Sequence, residues 1–97
     1  MADEIVVERE DNDDGGRYVV HLPGGAEAEM TYHRPRPGTI AIDHTGVPPE
    51  FRTLGIALKL VEAGIADAQR EGTKIVPLCS YVAAQFRRHP AWAPLLT

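Results

Sequence analysis

The residues best suited to chemistry are a single cysteine and a histidine, each of which follows a predicted strand. Cys79 comes directly after the apolar run at residues 74–78 and before a predicted helix. Ligands of α/β sheets gather at the carboxyl ends of strands, and a thiol near a helix N-terminus has its thiolate form favoured. Cys79 is therefore a candidate nucleophile, although a small buried hydrophobe is an equally common role for a free cysteine.

His44 follows the predicted strand at residues 39–43. If that strand runs parallel and next to the strand before Cys79, both residues lie at the same edge of the sheet. The imidazole could then accept a proton from the thiol or from an incoming amine. An exposed turn histidine is the alternative, and it is the commoner role for a histidine taken alone. His21 and His33 fall on the polar side of predicted strands and are interpreted as surface residues.

A third candidate is the entrance of a long helix, where residues 52–57 read RTLGIA. Gly55 lets a ligand approach the backbone, Arg52 adds positive charge, and the first-turn N–H groups have no partner inside the helix. The pattern Arg-x-x-Gly-x-Ala could therefore cradle a pyrophosphate. Many strand-to-helix junctions also need a glycine for packing and bind nothing, and the spacing by itself favours that role.

The helix that positions this entrance belongs to a stretch that runs from Val47 to Glu71. It turns through Pro48 and Pro49, after which apolar residues recur at helical spacing. Gly72 follows as a candidate C-cap. The predicted buried face of the helix consists of Leu54, Ala57, Leu58, Val61, Ile65 and Ala68.

Five strands are predicted around this helix, at residues 5–7, 17–22, 26–34, 39–43 and 74–78. The third shows the clearest alternation of apolar and polar residues, with one buried face. The acidic, glycine-terminated segment at residues 8–16 is interpreted as a solvated hairpin loop, and it lacks the spacing of an EF-hand calcium loop. The first four strands form an antiparallel meander, and the helix connects the fourth to a parallel fifth strand.

The end of the chain carries further expectations. Pro77 cannot donate a ladder hydrogen bond, so the fourth and fifth strands are expected to part near their ends and to expose backbone to a ligand. Ser80 is predicted to cap a short helix at residues 81–88. Tyr81 could be a phenolic acid, but packing at the helix start is the favoured role. Trp92, Leu95 and Leu96 are predicted to fold back as a hydrophobic lid.

Size and composition limit the classes of function. The 97 residues predict one domain, residues 1–97, and the net charge of −4 gives no support to sequence-independent nucleic-acid binding. The histidines and the one cysteine do not have zinc-site spacing, so no metal site is expected. The sequence shows no apolar run long enough for a bilayer and no signal-peptide pattern, and a lone cysteine favours a reducing compartment. These features predict a cytoplasmic protein without a membrane or nucleic-acid partner.

Several segments together resemble one family. A strand, then Arg52-x-x-Gly55-x-Ala57, then a long helix resembles motif A of the GNAT superfamily of acyl-CoA-dependent N-acyltransferases. The segment from Ile75 to Val82, IVPLCSYV, and the tail from His89 to Leu95, HPAWAPL, resemble a branch of small single-domain GNAT-like proteins. The similarity covers most of the chain and is strongest after Asp43.

The resemblance implies an α+β protein of GNAT-like fold, in which a mixed sheet splits into a V between strands four and five. It implies an N-acetyltransferase that binds acetyl-CoA in the split and acts on an amine of a small molecule or peptide. Cys79 would accept the acetyl group or assist its transfer, and His44 would be the base. The implied donor-binding residues are Val47, Arg52, Thr53, Leu54, Gly55, Ile56 and Ala57.

Two features of the chain bear on this activity. Thr53 stands where motif A usually has a smaller residue, so altered contact with the donor is expected. The chain also lacks the N-terminal helices that form the acceptor site in larger members of the superfamily. A non-catalytic acyl-CoA-binding or regulatory module is therefore the alternative function.

Overall fold

A five-stranded mixed sheet with helices against it forms the protein, and the computed structural model describes residues 5–97. Strands β1 to β4 pair in order and antiparallel, whereas β5 pairs parallel with β4. The predicted α+β fold, an antiparallel meander followed by a β-α-β crossover, is confirmed. The elements are β1 Glu8–Asn12, β2 Gly15–His21, β3 Glu27–Arg36, β4 Thr39–Gly46, α1 Ile56–Glu71, β5 Lys74–Pro77 and α2 Ser80–Arg88, with 3-10 turns at Pro23–Gly25, Pro49–Leu54 and Pro90–Leu95.

The first strand differs from the prediction. Residues 5–7 lie outside the sheet, and the acidic segment that the sequence predicts to be a loop supplies β1 instead. Its charges are compensated across the strand pair: Arg9 lies opposite Tyr18 and stacks over its ring, and Glu10 lies opposite Arg17 and forms an ion pair with it. An edge strand tolerates such residues because one side of it faces water.

Helix α1 covers one face of the sheet, and its buried side differs partly from the predicted one. Val61, Ile65 and Ala68 are buried as expected, but Leu54 precedes the helix and is 55% exposed. The reason is the conformation of Gly55, which is left-handed and separates the 3-10 turn from α1. The residues of α1 that are buried in the structure are Ile56, Leu60, Val61, Gly64, Ile65 and Ala68.

The opposite face of the sheet, called here the outer face, is mostly polar, although Val19 and Ala41 are buried on it. Arg17 lies on it and forms ion pairs with Glu10, Glu27 and Glu29 from the neighbouring strands. The apolar core therefore lies on the α1 side, where Met30 and its neighbours pack under the helix.

A β-bulge interrupts the pairing of β3 with β4. Thr31 lies opposite His44, whereas the next residue, Tyr32, lies opposite Ile42. Asp43 is therefore the extra residue, and the alternation of faces shifts by one position after it. The predicted strand at residues 39–43 is confirmed but extends three residues further, to Gly46.

Strands β4 and β5 part after a short ladder. The pairs run from Thr39 and Lys74 to Ile42 and Pro77, and the N–H of Cys79 then donates to the carbonyl of Ile42 at 2.9 Å. Beyond that bond β4 continues to Gly46 while the other chain segment turns into α2. The predicted split is therefore present, and Pro77 lies at the end of the last strand of the sheet, a position that proline tolerates.

The C-terminal segment packs largely as predicted. Trp92 lies edge-on against Phe86 with the ring centroids 5.9 Å apart, and Leu95 packs against the core, but Leu96 is 40% exposed. The predicted Ser80 cap is wrong, because α2 begins at Ser80 and Cys79 occupies the N-cap position.

Candidate functional site

A cleft of about 420 Å³ opens where β4 and β5 part. This volume lies in the range of small-molecule sites. The end of β4 forms one wall, the turn into α1 forms the second, and the start of α2 forms the third. The lining residues are Thr45, Gly46, Val47, Arg52, Gly55, Ala57, Leu58 and Tyr81.

The turn into α1 presents backbone donors to this cleft. Gly55 is the N-cap of α1 with φ of 73°, a left-handed conformation that side chains disfavour. The Nε of Arg52 donates to the carbonyl of Val47 at 3.1 Å, which holds the guanidinium group beside the end of β4. Because the N–H groups of the first helical turn have no intrahelical partners, this wall is suited to an anion.

The predicted donor-binding residues divide into two groups. Val47, Arg52, Gly55 and Ala57 line the cleft. Thr53 is exposed, and Ile56 is buried in the core. Leu54 and Ile56 instead line a second, largely apolar hollow of about 720 Å³ on the far side of the turn.

Cys79 does not line the cleft itself but bonds Thr45, which does. Its half-buried thiol donates to the hydroxyl of Thr45 with the sulfur and oxygen 3.6 Å apart. Burial opposes ionisation of the thiol. The N–H groups of Val82 and Tyr81 and the hydroxyl of Thr45 outweigh that effect and hold the pKa of Cys79 below its ordinary value. The thiol makes no capping hydrogen bond to α2, so the N–H groups act on it electrostatically.

The structure does not bring His44 to Cys79 in the way that the sequence predicts. Because of the bulge at Asp43, Thr45 lies opposite Met30 on the α1 side and His44 lies opposite Thr31 on the outer face. The imidazole is exposed and lies against Gly46, so close that a Cβ added to this glycine would be 3.0 Å from Nε2. His44 itself does not line the cleft, although it lies against Gly46, which does, and Thr45 occupies the position beside the thiol.

Tyr81 is the cleft residue that sequence reasoning undervalues. The sequence favours a packing role at the start of α2, but the half-buried side chain lines the cleft. Burial raises the pKa of Tyr81 above its ordinary value, against the opposing influence of Arg88 and Gln85. The phenol is therefore protonated at neutral pH and can donate a proton or a hydrogen bond. The sequence signal that could indicate this role is the position of Tyr81 directly after Cys79 and Ser80.

Neither a metal-ligand cluster nor a membrane-spanning helix is found in residues 5–97. No group of three or more histidine, cysteine, aspartate or glutamate side chains there is arranged to hold a metal ion. None of the helices in this range is long and apolar enough to cross a membrane.

Comparison with known proteins gives a structural match and a family match, each of which spans most of the chain. The solution structure of a GCN5-like protein from Staphylococcus aureus, determined by NMR, superposes with a TM-score of 0.71 at 25% sequence identity. The superposition covers 93% of this chain and 87% of the other. The sequence model of the GCN5-related N-acetyl-transferase family matches residues 17–95. The chain therefore belongs to the GCN5-related N-acetyltransferase family.

Proposed function

We propose that this protein binds acetyl-CoA in the cleft between β4 and β5 and transfers the acetyl group to an amine. The observation that carries the proposal is the parting of the two strands directly beside the N-terminus of α1. An elongated donor with a phosphate-bearing end needs both features, a strand edge for its amide-containing arm and a wall of N–H groups for its phosphates.

The residues of the cleft fit such a donor. The pyrophosphate would lie against the N–H groups around Gly55 and Ala57, with Arg52 contributing positive charge. The amide groups of the pantetheine arm would pair with the edge of β4 near Val47. Thr53 does not line the cleft, so its side chain leaves room for the donor, and only its backbone N–H could contribute.

The acetyl group is supplied by the donor, and Cys79 is the residue we propose to receive it. The thiolate of Cys79 would attack the thioester carbonyl, forming a carbon–sulfur bond to Cys79 while the bond to the donor's sulfur breaks. Tyr81, which is protonated at neutral pH, lines the same cleft and would give a proton to the departing thiolate and regain one from solvent. An amine would then attack the acetyl-Cys79 thioester and release the Cys79 thiolate.

His44 has a separate place in this scheme. Its exposed imidazole lies against Gly46, which lines the cleft, so we propose that it accepts the proton that the amine loses as the amide forms. The same position serves direct attack of the amine on the donor, without a covalent intermediate. Cys79 is favoured as the first acceptor because Thr45 and the N-terminus of α2 stabilise its thiolate.

We also propose that residues 1–97 act as one domain. The acceptor is an amine carried by a small molecule or a peptide. A reducing compartment such as the cytoplasm suits the activity, because Cys79 must remain a free thiol.

Intact-protein mass spectrometry after incubation with acetyl-CoA, together with calorimetric titration with CoA, tests the proposal. Saturable binding and one acetyl adduct that disappears in Cys79→Ala are expected. Binding without an adduct would exclude the covalent route, and an amine panel would then separate direct transfer from the non-catalytic binding module. Absence of binding would refute the donor site. Gly55→Arg, which fills the cleft wall, serves as the variant that should not bind.

A further inference from the structure

Thr45 connects the two sides of the cleft. It belongs to the part of β4 that is no longer paired with β5, and it lines the cleft. Its hydroxyl accepts the hydrogen bond from Cys79 at the start of α2, with Oγ1 and Sγ 3.6 Å apart. Within residues 5–97, this is the side-chain hydrogen bond that the thiol makes. A single hydroxyl therefore spans the opening next to the proposed reaction site.

A hydroxyl suits this position because it can serve both protonation states of the thiol. Facing the neutral thiol, the oxygen of Thr45 accepts the S–H. Facing the thiolate, the same hydroxyl can rotate and donate its proton to the sulfur. A valine would fill almost the same space but offer neither interaction, whereas a serine would offer both.

The other groups around the thiol do not duplicate this role. On α2, Tyr81 is a neutral phenol at physiological pH, and the N–H groups of Tyr81 and Val82 are fixed in direction by the helix. On β4, the titratable side chains are Asp43 and His44, and both lie on the outer face: Asp43 bonds Thr31 and His33, and His44 lies opposite Thr31. Thr45 is thus the adjustable donor that faces Cys79.

We propose that Thr45 is a positioning residue of the acetyl transfer described above: its hydroxyl orients the Cys79 sulfur toward the cleft and stabilises the thiolate that attacks the donor. This inference rests on the proposed function for its catalytic meaning. The link between the hydroxyl and the thiol can nevertheless be measured without any donor.

The test compares Thr45→Val with Thr45→Ser in an iodoacetamide alkylation experiment across pH. The chain has one cysteine, so the alkylation rate reports Cys79 alone. Thr45→Val should slow alkylation at neutral pH about three- to tenfold and move the pH profile upward. Losing a hydrogen bond to the charged thiolate lowers the thiolate fraction about tenfold or more, and the greater nucleophilicity of a more basic thiolate offsets about half of that effect on a logarithmic scale. Thr45→Ser should keep a profile close to that of the unmodified protein.

Thr73→Val is the matched control, since Thr73 is also half-buried but lies before β5, at the other end of that strand. Its profile should coincide with that of the unmodified protein. Superimposable profiles for Thr45→Val and the unmodified protein would overturn the inference, as would an equal shift in Thr45→Ser. If circular dichroism shows that Thr45→Val does not fold, Thr45→Ala takes its place with the same expected slowing.

The initial rate of acetyl-adduct formation then relates Thr45 to the reaction. We expect a fall of about the same three- to tenfold in Thr45→Val, since both rates follow the thiolate fraction. An unchanged rate of adduct formation beside slowed alkylation would overturn the catalytic role of Thr45. If the unmodified protein neither binds CoA nor forms an adduct, the proposed function fails, while the alkylation profiles still decide whether Thr45 controls the thiol.

Discussion

Replacing Gly55 by alanine should cost the protein as much stability as replacing Gly72, yet weaken CoA binding where Gly72→Ala does not. The two glycines flank α1 and are closely matched, with φ of 73° and 72°. A Cβ added to either one meets no atom within 4 Å. Both substitutions therefore carry only the cost of a left-handed alanine, which is about 1–2 kcal/mol.

Their effects on the proposed donor site should differ because α1 separates them. The helix of 16 residues lies between them, so the two positions are about 26 Å apart along its axis. Gly55 lines the cleft, and a methyl group there would stand between the phosphates and the first-turn N–H groups. Loss of one hydrogen bond to a charged phosphate should weaken CoA binding about tenfold or more.

Urea unfolding measures the first quantity and calorimetric titration with CoA measures the second. The expected result is a similar loss of unfolding free energy in both variants and a large rise in Kd for Gly55→Ala alone. A Kd within about twofold of the unmodified protein in Gly55→Ala would refute the placement of the phosphates. An equal rise in both variants would attribute the effect to lost stability.

Three further predictions concern other residues. His44→Gln should leave the Kd for CoA unchanged but slow acetylation of an amine, measured as product per minute; an unaltered rate would remove His44 from the reaction. Asp67→Asn should destabilise the fold by about 1–2 kcal/mol at neutral pH. Burial opposes ionisation of Asp67, but hydrogen bonds from Tyr18 and Arg70 hold its pKa below the ordinary value. The stabilisation that the ionised carboxylate gives is therefore present above about pH 4 and is lost as the pH falls through the folded pKa. The difference in unfolding free energy between Asp67→Asn and the unmodified protein, measured with urea, should therefore be smaller at pH 3 than at pH 7. An equal difference at the two pH values would contradict the assignment. Trp92→Ala should lower the melting temperature, since its ring packs on Phe86, and an unchanged value would deny the lid a role in stability.

The order of strands and the crossover can be predicted from the sequence because their signals are local. Strand alternation, helical spacing and the glycine after α1 are each visible within a few residues. The first strand escapes prediction because its residues, EREDN, have low strand propensity. What makes them a strand is pairing with partners far along the chain: Arg9 bonds Tyr32, Asp67 and Glu71. No local pattern shows such contacts.

The location of the cleft can be predicted from the sequence, whereas its detail cannot. The motif around Gly55 and the position of Cys79 lead to the edge of the sheet where the cleft opens. Strict alternation along β4 would place His44 on the α1 side and Thr45 on the outer face. The bulge at Asp43 exchanges them. A bulge arises from the pairing of two strands, so one strand's sequence does not reveal it.

The two outer strands of the sheet also bear on association between molecules. Each leaves a row of backbone groups to which the strand of another chain could add. On one side, β1 carries four consecutive charged residues from Glu8 to Asp11, which resist such pairing. On the other, β5 has four residues, ends in Pro77, and has Leu96 paired with Ile75. Both edges of the sheet therefore oppose edge-to-edge aggregation. The backbone that β4 exposes where it parts from β5 stays available at the cleft, while β1 and β5 disfavour pairing with another chain.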